Sequence, residues 1–162
     1  MNIIDKVMQR DENLLAGEAH YLWQHLLGRY DSQELLQFYT QYINDEDLRT
    51  VASTGSNVIQ RQIKTLEDIS SKHEIPLPAK PPKPHRASAG SEDIRDEIIF
   101  RDILIRSQVD LELHVSAIKA TLSNSLWKIF KNLIKEDLDN YENLINFGKS
   151  KGWLSYMPQY KN

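Results

Sequence analysis

The stretch Ile75–Gly90, IPLPAKPPKPHRASAG, decides how this chain folds. Five of the six prolines fall between Pro76 and Pro84. Proline has no backbone donor and biases its predecessor away from the helical region, so the segment has no helical interior. It divides the chain into two halves of like design, each a pair of long runs with apolar residues at helical spacing.

In the first half the run from about Arg10 to Ile43 carries Leu14, Leu15, Leu22, Leu26, Leu36, Tyr39 and Ile43. A kink is expected at Tyr30-Asp31-Ser32, since Ser32 ahead of Glu34 also suits a fresh helix start. Asn44-Asp45 reads as a tight turn with Asp45 as N-cap. The next run, Glu46 to His73, repeats the pattern through Leu48, Val51, Val58, Ile59, Ile63, Leu66 and Ile69. In the second half Ser91-Glu92-Asp93 opens a helix, its acidic residues matching the positive end of the dipole. It continues through Ile94, Ile98, Ile105, Val109, Leu113 and Ile118 to about Leu122. Ser123-Asn124-Ser125 gives a second tight turn, and a fourth helix runs from about Leu126 to Lys149, with Gly152 ending that region.

The loop lengths set the topology. Two very short turns place helix one against helix two, and three against four, as antiparallel pairs. The link from Glu74 to Gly90 is long. A helix of about 28 residues spans roughly 42 Å, and a Pro-rich extended link of this length reaches about 50 Å. The link can therefore traverse the bundle and leave helices two and three parallel; the alternative is a surface loop between antiparallel neighbours. Links this long are uncommon without a task, which favours the crossover. The expected fold is all-α, a four-helix bundle in up-down-down-up order: an N-terminal arm over 1–9, the bundle over 10–151 with its crossover at 74–90, and an aromatic tail over 152–162.

Composition excludes several classes of function. With 40% hydrophobic and 27% charged residues over 162 positions, the chain has the make-up of one folded domain. A net charge of −3 gives no general electrostatic footprint for nucleic acid or anionic membrane. Cysteine is absent, so disulfides, iron–sulfur clusters, Cys-ligated zinc and thiol nucleophiles are excluded. No window is apolar enough for a signal peptide or a membrane span, and a cytoplasmic location is expected.

Three short segments carry a family resemblance: Glu18-Ala19-His20-Tyr21-Leu22-Trp23, Ile75-Pro76-Leu77-Pro78, and Lys149-Ser150-Lys151-Gly152-Trp153-Leu154. Together they resemble a group of ferritin-like proteins of unknown function related to Bacillus spore coat protein F. The likeness extends over nearly the whole chain, and its motifs are structural punctuation. It implies the same up-down-down-up bundle, a sporulating Gram-positive source and an association with the spore.

Ferritin-like enzymes hold two metals with one Glu from each of two helices and Glu-x-x-His from each of the other two. Ligands at i and i+3 share a helix face. That motif is missing: helix two offers Gln62 and Thr65, helix four Asp137 and Asn140. Following expected core positions nevertheless gives Leu15, Glu18, Leu22, His25 on helix one and Ile59, Gln62, Leu66 on helix two. Helix three gives Ile105, Val109, Glu112, and helix four Phe130, Ile134, Asp137, Tyr141. Glu18, His25, Gln62, Glu112 and Asp137 then fall in one broad layer, a candidate site for iron, manganese or zinc. The opposing reading is a polar layer that specifies register and binds nothing, with no cofactor at all.

No two of the five histidines stand four apart, and there is neither a phosphate-binding glycine loop nor a nucleophile elbow. His20 and His25 point to different faces, one packed and one solvated. The lysines at 128, 131 and 135, and Lys80, Lys83 and Arg86, read as solvated positions before a phosphate patch. Trp153, Leu154, Tyr156, Met157 and Tyr160 of the tail, like Ile3, Ile4, Val7 and Met8 of the arm, are expected to pack back in part or to dock on a second copy as a homodimer. The favoured function is a structural or interaction protein without catalytic activity, spore-coat associated; the alternatives are a metal-binding oxidoreductase-like protein and a small-molecule-binding bundle.

Overall fold

The computed structural model describes residues 13–82 and 94–160. They form four long helices: α1 Ala16–Tyr39, α2 Glu46–Lys72, α3 Asp96–Ala120 and α4 Asn124–Lys151. Among the described residues there is no strand. The arm over 1–9 and the expected helix start at Ser91–Asp93 lie outside the described residues.

Local chemistry fixes the helix ends. Asp45 caps α2, its Oδ1 accepting from Leu48 N at 2.9 Å. Ser123 does the same for α4 through Leu126 N. Gly152 closes α4 at φ 69°, a left-handed position where glycine has no Cβ penalty. Contrary to the expected kink, α1 runs unbroken through Asp31 and Ser32, because Tyr30 and Leu36 on either side are both buried and hold the turn in register. Arg49 draws the end of α1 onto the start of α2, donating to Thr40 O at 3.0 Å and to Ile43 O.

Side-chain pairings establish the order of the bundle. Along α1 and α3, Tyr39 meets Asp102, Arg29 meets Asp110 and His25 meets His114. Numbers rise on one helix as they fall on the other, so these two are antiparallel. Gln62 with Asp137 and Asp47 with Lys151 make α2 and α4 antiparallel in the same way. Helix α1 packs on α2 and α3, α4 packs on α3 and α2, and the parallel pair α2/α3 lies across a diagonal. The bundle is therefore up-down-down-up, and the end of α2 and the start of α3, joined by the crossover, lie at opposite ends of it. The described part of that crossover climbs the α1–α2 face: Ile75 packs on the core, and Lys80 pairs with Glu67 at 2.7 Å while lying over the Tyr30 ring.

Two apolar clusters fill the interior, one around Leu22, Leu26, Leu66 and Phe130 and one around Leu48, Ile99, Phe100 and Phe147. The C-terminal tail divides. Trp153 packs on Phe100 and Phe147 with ring centroids 5.8 and 5.6 Å apart, while Tyr156, Met157 and Tyr160 stand exposed.

The face of α3 differs from the one its sequence suggests. Ile99, Phe100, His114 and Ala117 are buried, whereas Ile98, Ile105 and Val109 are about half exposed. Apolar residues surround this helix almost completely, so periodicity does not single out a face. The core instead takes Asp110 and His114, for a reason that lies in α1.

Candidate functional site: a guanidinium-centred polar layer

Between the two apolar clusters, all four helices send polar side chains inward. Helical spacing places His25 and Arg29 one turn apart on α1, and Asp110 and His114 one turn apart on α3. Gln62 comes from α2 and Asp137 from α4. His25, Arg29, Gln62 and His114 are at most 3% exposed.

Arg29 is the hub. Its Nη1 donates to Asp110 Oδ2 at 2.6 Å. Its Nη2 donates to Asp137 Oδ2 and lies 2.9 Å from His114 Nε2. Gln62 Nε2 donates to Asp137 Oδ1 at 2.9 Å and to Glu136 Oε2 at 3.1 Å. Burial opposes charge on this guanidinium, but Asp110 and Asp137 outweigh it and hold the group above its ordinary pKa.

The protons of the histidine pair can be assigned. Tyr21 O, which can only accept, lies 2.6 Å from His25 Nδ1. Burial, followed by the neighbouring His114, drives the His25 pKa down to about 3, so the ring is neutral with its one proton on Nδ1. Its Nε2 must therefore accept from His114 Nδ1 at 3.0 Å. His114 Nε2 faces Asp137 Oδ2 at 2.7 Å as well as Arg29. Carrying a proton it donates to the carboxylate; without one it accepts from the guanidinium.

The two carboxylates are served unequally. Asp137 accepts from Arg29 and Gln62 and lies 2.7 Å from His114 Nε2, and although burial pushes its pKa up, these neighbours hold it below the ordinary carboxylate value. Asp110 accepts from Arg29 alone among the described residues. Its burial is the largest influence and leaves its pKa raised.

Of the five residues expected in the layer, His25, Gln62 and Asp137 do converge. Glu112 is exposed on the outer face of α3, one step out of phase, as follows from the face that α3 buries. Glu18 is 1% exposed but serves another purpose. One of its oxygens accepts from Leu15 N at 2.9 Å and the other from Leu122 N and Ser123 N at 2.8 Å each. It closes the start of α1 and the α3–α4 turn together.

The donor set does not fit the metal pair of a ferritin-like enzyme. Both oxygens of Asp137 and both nitrogens of His25 are engaged, and a permanently charged guanidinium already lies between the carboxylates of Asp110 and Asp137. Among the described residues no three His, Asp or Glu side chains converge so as to hold a metal ion. Sequence reasoning missed Arg29, Asp110 and His114. Arg29 continues the Leu22–His25 face by one turn, and Asp110 and His114 stand four apart on one face of α3; both spacings are visible in the sequence.

A cavity of about 320 Å³ adjoins this layer. Arg29, Asp110 and Asp137 form its charged end, and Leu36, Ile59, Ile103 and Leu144 form apolar walls. It exists because α2 contributes Ala52 and Gly55 here, where larger residues would fill the space.

Comparison with known proteins matches this architecture. A "putative spore coat protein" from Bacillus halodurans C-125 superposes with a TM-score of 0.85 at 21% identity, over 94% of this chain and 99% of that one. A two-domain protein from Anabaena variabilis ATCC 29413, containing DJ-1/ThiJ/PfpI-like and ferritin-like domains, matches with a TM-score of 0.67 at 20% identity, over 90% of this chain and 40% of that longer one. At such identities the likeness is one of fold. No curated protein matches the sequence. The family described as "Protein of unknown function (DUF3231)" matches residues 2–162, and the chain belongs to that family.

Proposed function

We propose that the protein is a structural or interaction protein of ferritin-like fold, associated with the spore coat and without a reaction of its own. The observation that carries the reading is the outer face of α3. Ile98, Ile105 and Val109, seven and four residues apart on one stripe of that helix, are 48–59% exposed, and Leu122 beyond its end is 79% exposed. An apolar stripe left outside the core marks a surface for another protein. The exposed Tyr156, Met157 and Tyr160 of the tail extend that capacity. The spore-coat association rests on the Bacillus halodurans neighbour. No described helix is long and apolar enough to cross a membrane.

Sedimentation equilibrium across a wide concentration range tests the reading, using the natural chain and an Ile105→Lys/Val109→Glu variant. Self-association of the natural chain that the variant loses supports it. A chain that stays monomeric, and that binds no spore-coat extract through this face, counts against it.

The alternative, a metal-binding protein using the carboxylate and histidine layer with iron, manganese or zinc, requires Arg29 to leave its two carboxylates. Elemental analysis of protein purified without chelator tests it. Stoichiometric metal lost on Asp137→Ala would establish a centre there and overturn the view of the layer as structural.

A further inference from the structure

We propose that the cavity beside Arg29 is a binding site for a small organic cation, a primary amine with an apolar body, whose ammonium group meets Asp110. The two carboxylates at its charged end are unequally satisfied. One guanidinium serves both. Asp137 has Gln62 and His114 besides. Asp110 has no other donor among the described residues: its Oδ2 is bonded to Arg29, its Oδ1 makes no hydrogen bond, and its side chain is 22% exposed where it lines the cavity. Arg29 is the one cationic side chain lining the cavity and faces both carboxylates, of which Asp137 has further partners and Asp110 has none among the described residues. A half-buried carboxylate with a vacant acceptor favours a positively charged donor.

The remaining walls define the rest of the ligand. Leu36, Ile59, Ile103 and Leu144 offer an apolar lining to a body of modest size. A cavity of about 150 Å³ accommodates benzene, so roughly twice that volume suits about ten non-hydrogen atoms. Access lies between α2 and α4, where Thr50, Thr54 and Asn143 are exposed at the cavity's rim. A smaller void of about 50 Å³ shares Leu36, Ile59, Ile103, Ser107 and Asp110 with the main cavity and adjoins Tyr39 and Arg106. Asp110 therefore stands where the two spaces meet. An anion would meet Arg29, whose Nε has no partner among the described residues, but also the two carboxylates that this guanidinium already serves, and is disfavoured; a neutral alcohol would gain the hydrogen bond without the charge. The site is separate from the exposed apolar stripe of α3, so either reading can fail alone.

The test is calorimetric titration of the full chain with 2-phenylethylamine, 2-phenylethanol and phenylacetate near neutral pH, where the amine is cationic. The expected order is amine tighter than alcohol by about tenfold, with phenylacetate undetected. Asp110→Asn should bring the amine to within about threefold of the alcohol, because the ammonium loses the charge of its partner and the neutral hydroxyl does not depend on it. Gly55→Leu should abolish binding of both: a Cβ at Gly55 meets nothing within 4 Å, so the larger side chain can enter the cavity without displacing its wall. Amine binding no tighter than alcohol, amine binding that survives Gly55→Leu, or no binding at roughly 10 mM would each overturn the proposal. If Asp110→Asn does not fold, the ranking in the natural chain and the Gly55→Leu result decide it.

Discussion

Glu18 reaches across the bundle to Ser123, its Oε1 accepting from the Ser123 backbone N–H at 2.8 Å. At the opposite end Asp96 makes the same contact with Asp45, accepting from its N–H at 2.8 Å and from Asn44 N at 2.9 Å. In each case a carboxylate near the start of one hairpin holds the turn of the other, on the N-cap residue and the one before it. The clasps differ in burial, since Glu18 is enclosed and Asp96 half exposed. Glu18→Ala should therefore cost about 3 kcal/mol, and Asp96→Ala about 1 kcal/mol. Urea midpoints of the two variants check the ranking; equal losses would show that burial does not set the difference.

Arg29 holds two carboxylates that would otherwise face each other in a dry interior. Arg29→Leu should destabilise the fold by about 3–5 kcal/mol, because both negative charges lose their partner. Adding Asp110→Asn and Asp137→Asn should restore much of that loss. A triple variant no more stable than Arg29→Leu would mean that the guanidinium matters for its packing and not for its charge.

Stability should fall on acidification from neutrality. The folded pKa of His25, about 3, lies well below its ordinary 6.5. Between these values the unfolded chain takes up a proton that the folded chain refuses, so this contribution is complete above pH 6.5 and is lost as pH falls toward 3. The slope approaches about 1.4 kcal/mol per pH unit. The depressed pKa of Asp137 acts in the same sense at the acid end, and the raised pKa of Asp110 acts in the opposite one. Denaturation followed between pH 7 and 4 should show the slope, and His25→Gln should flatten it; an unchanged slope would place the titrating group elsewhere.

Gly148 permits the tail to return. A Cβ there would lie 2.5 Å from Phe100 Cζ and 2.8 Å from Leu154 Cδ2. Alanine ordinarily strengthens a helix interior by about 1 kcal/mol over glycine. Here the buried Phe100 ring must move, so Gly148→Ala should instead destabilise by about 1–2 kcal/mol. Trp153 emission should shift to the red as the ring loses Phe100 and Phe147. A more stable variant with unshifted emission would show that the tail does not need this gap.

What the sequence disclosed and what it withheld divide along a physical line. Asp45, Ser123 and Gly152 act on their own backbone or the next turn, so their roles are readable from neighbours in the chain. The proline segment likewise announces a crossover, because a link must be long to join parallel helices. The inner face of α3 was not readable in that way. Its apolar residues lie all round the helix, and what brings Asp110 and His114 inward is Arg29, 81 and 85 positions away. Glu18 misled for a related reason: a buried acid on a ferritin-like helix suggests a ligand, but three backbone amides account for it.

The paired clasps bear on how the bundle comes apart. Each hairpin caps its own second helix but leaves the backbone amides of its turn, and its share of the polar layer, to the other, so the two are complementary. Parting the hairpins would break the Glu18–Ser123, Asp96–Asp45 and Arg29–Asp110 contacts together, so the two halves of the bundle are bound to unfold as one cooperative unit.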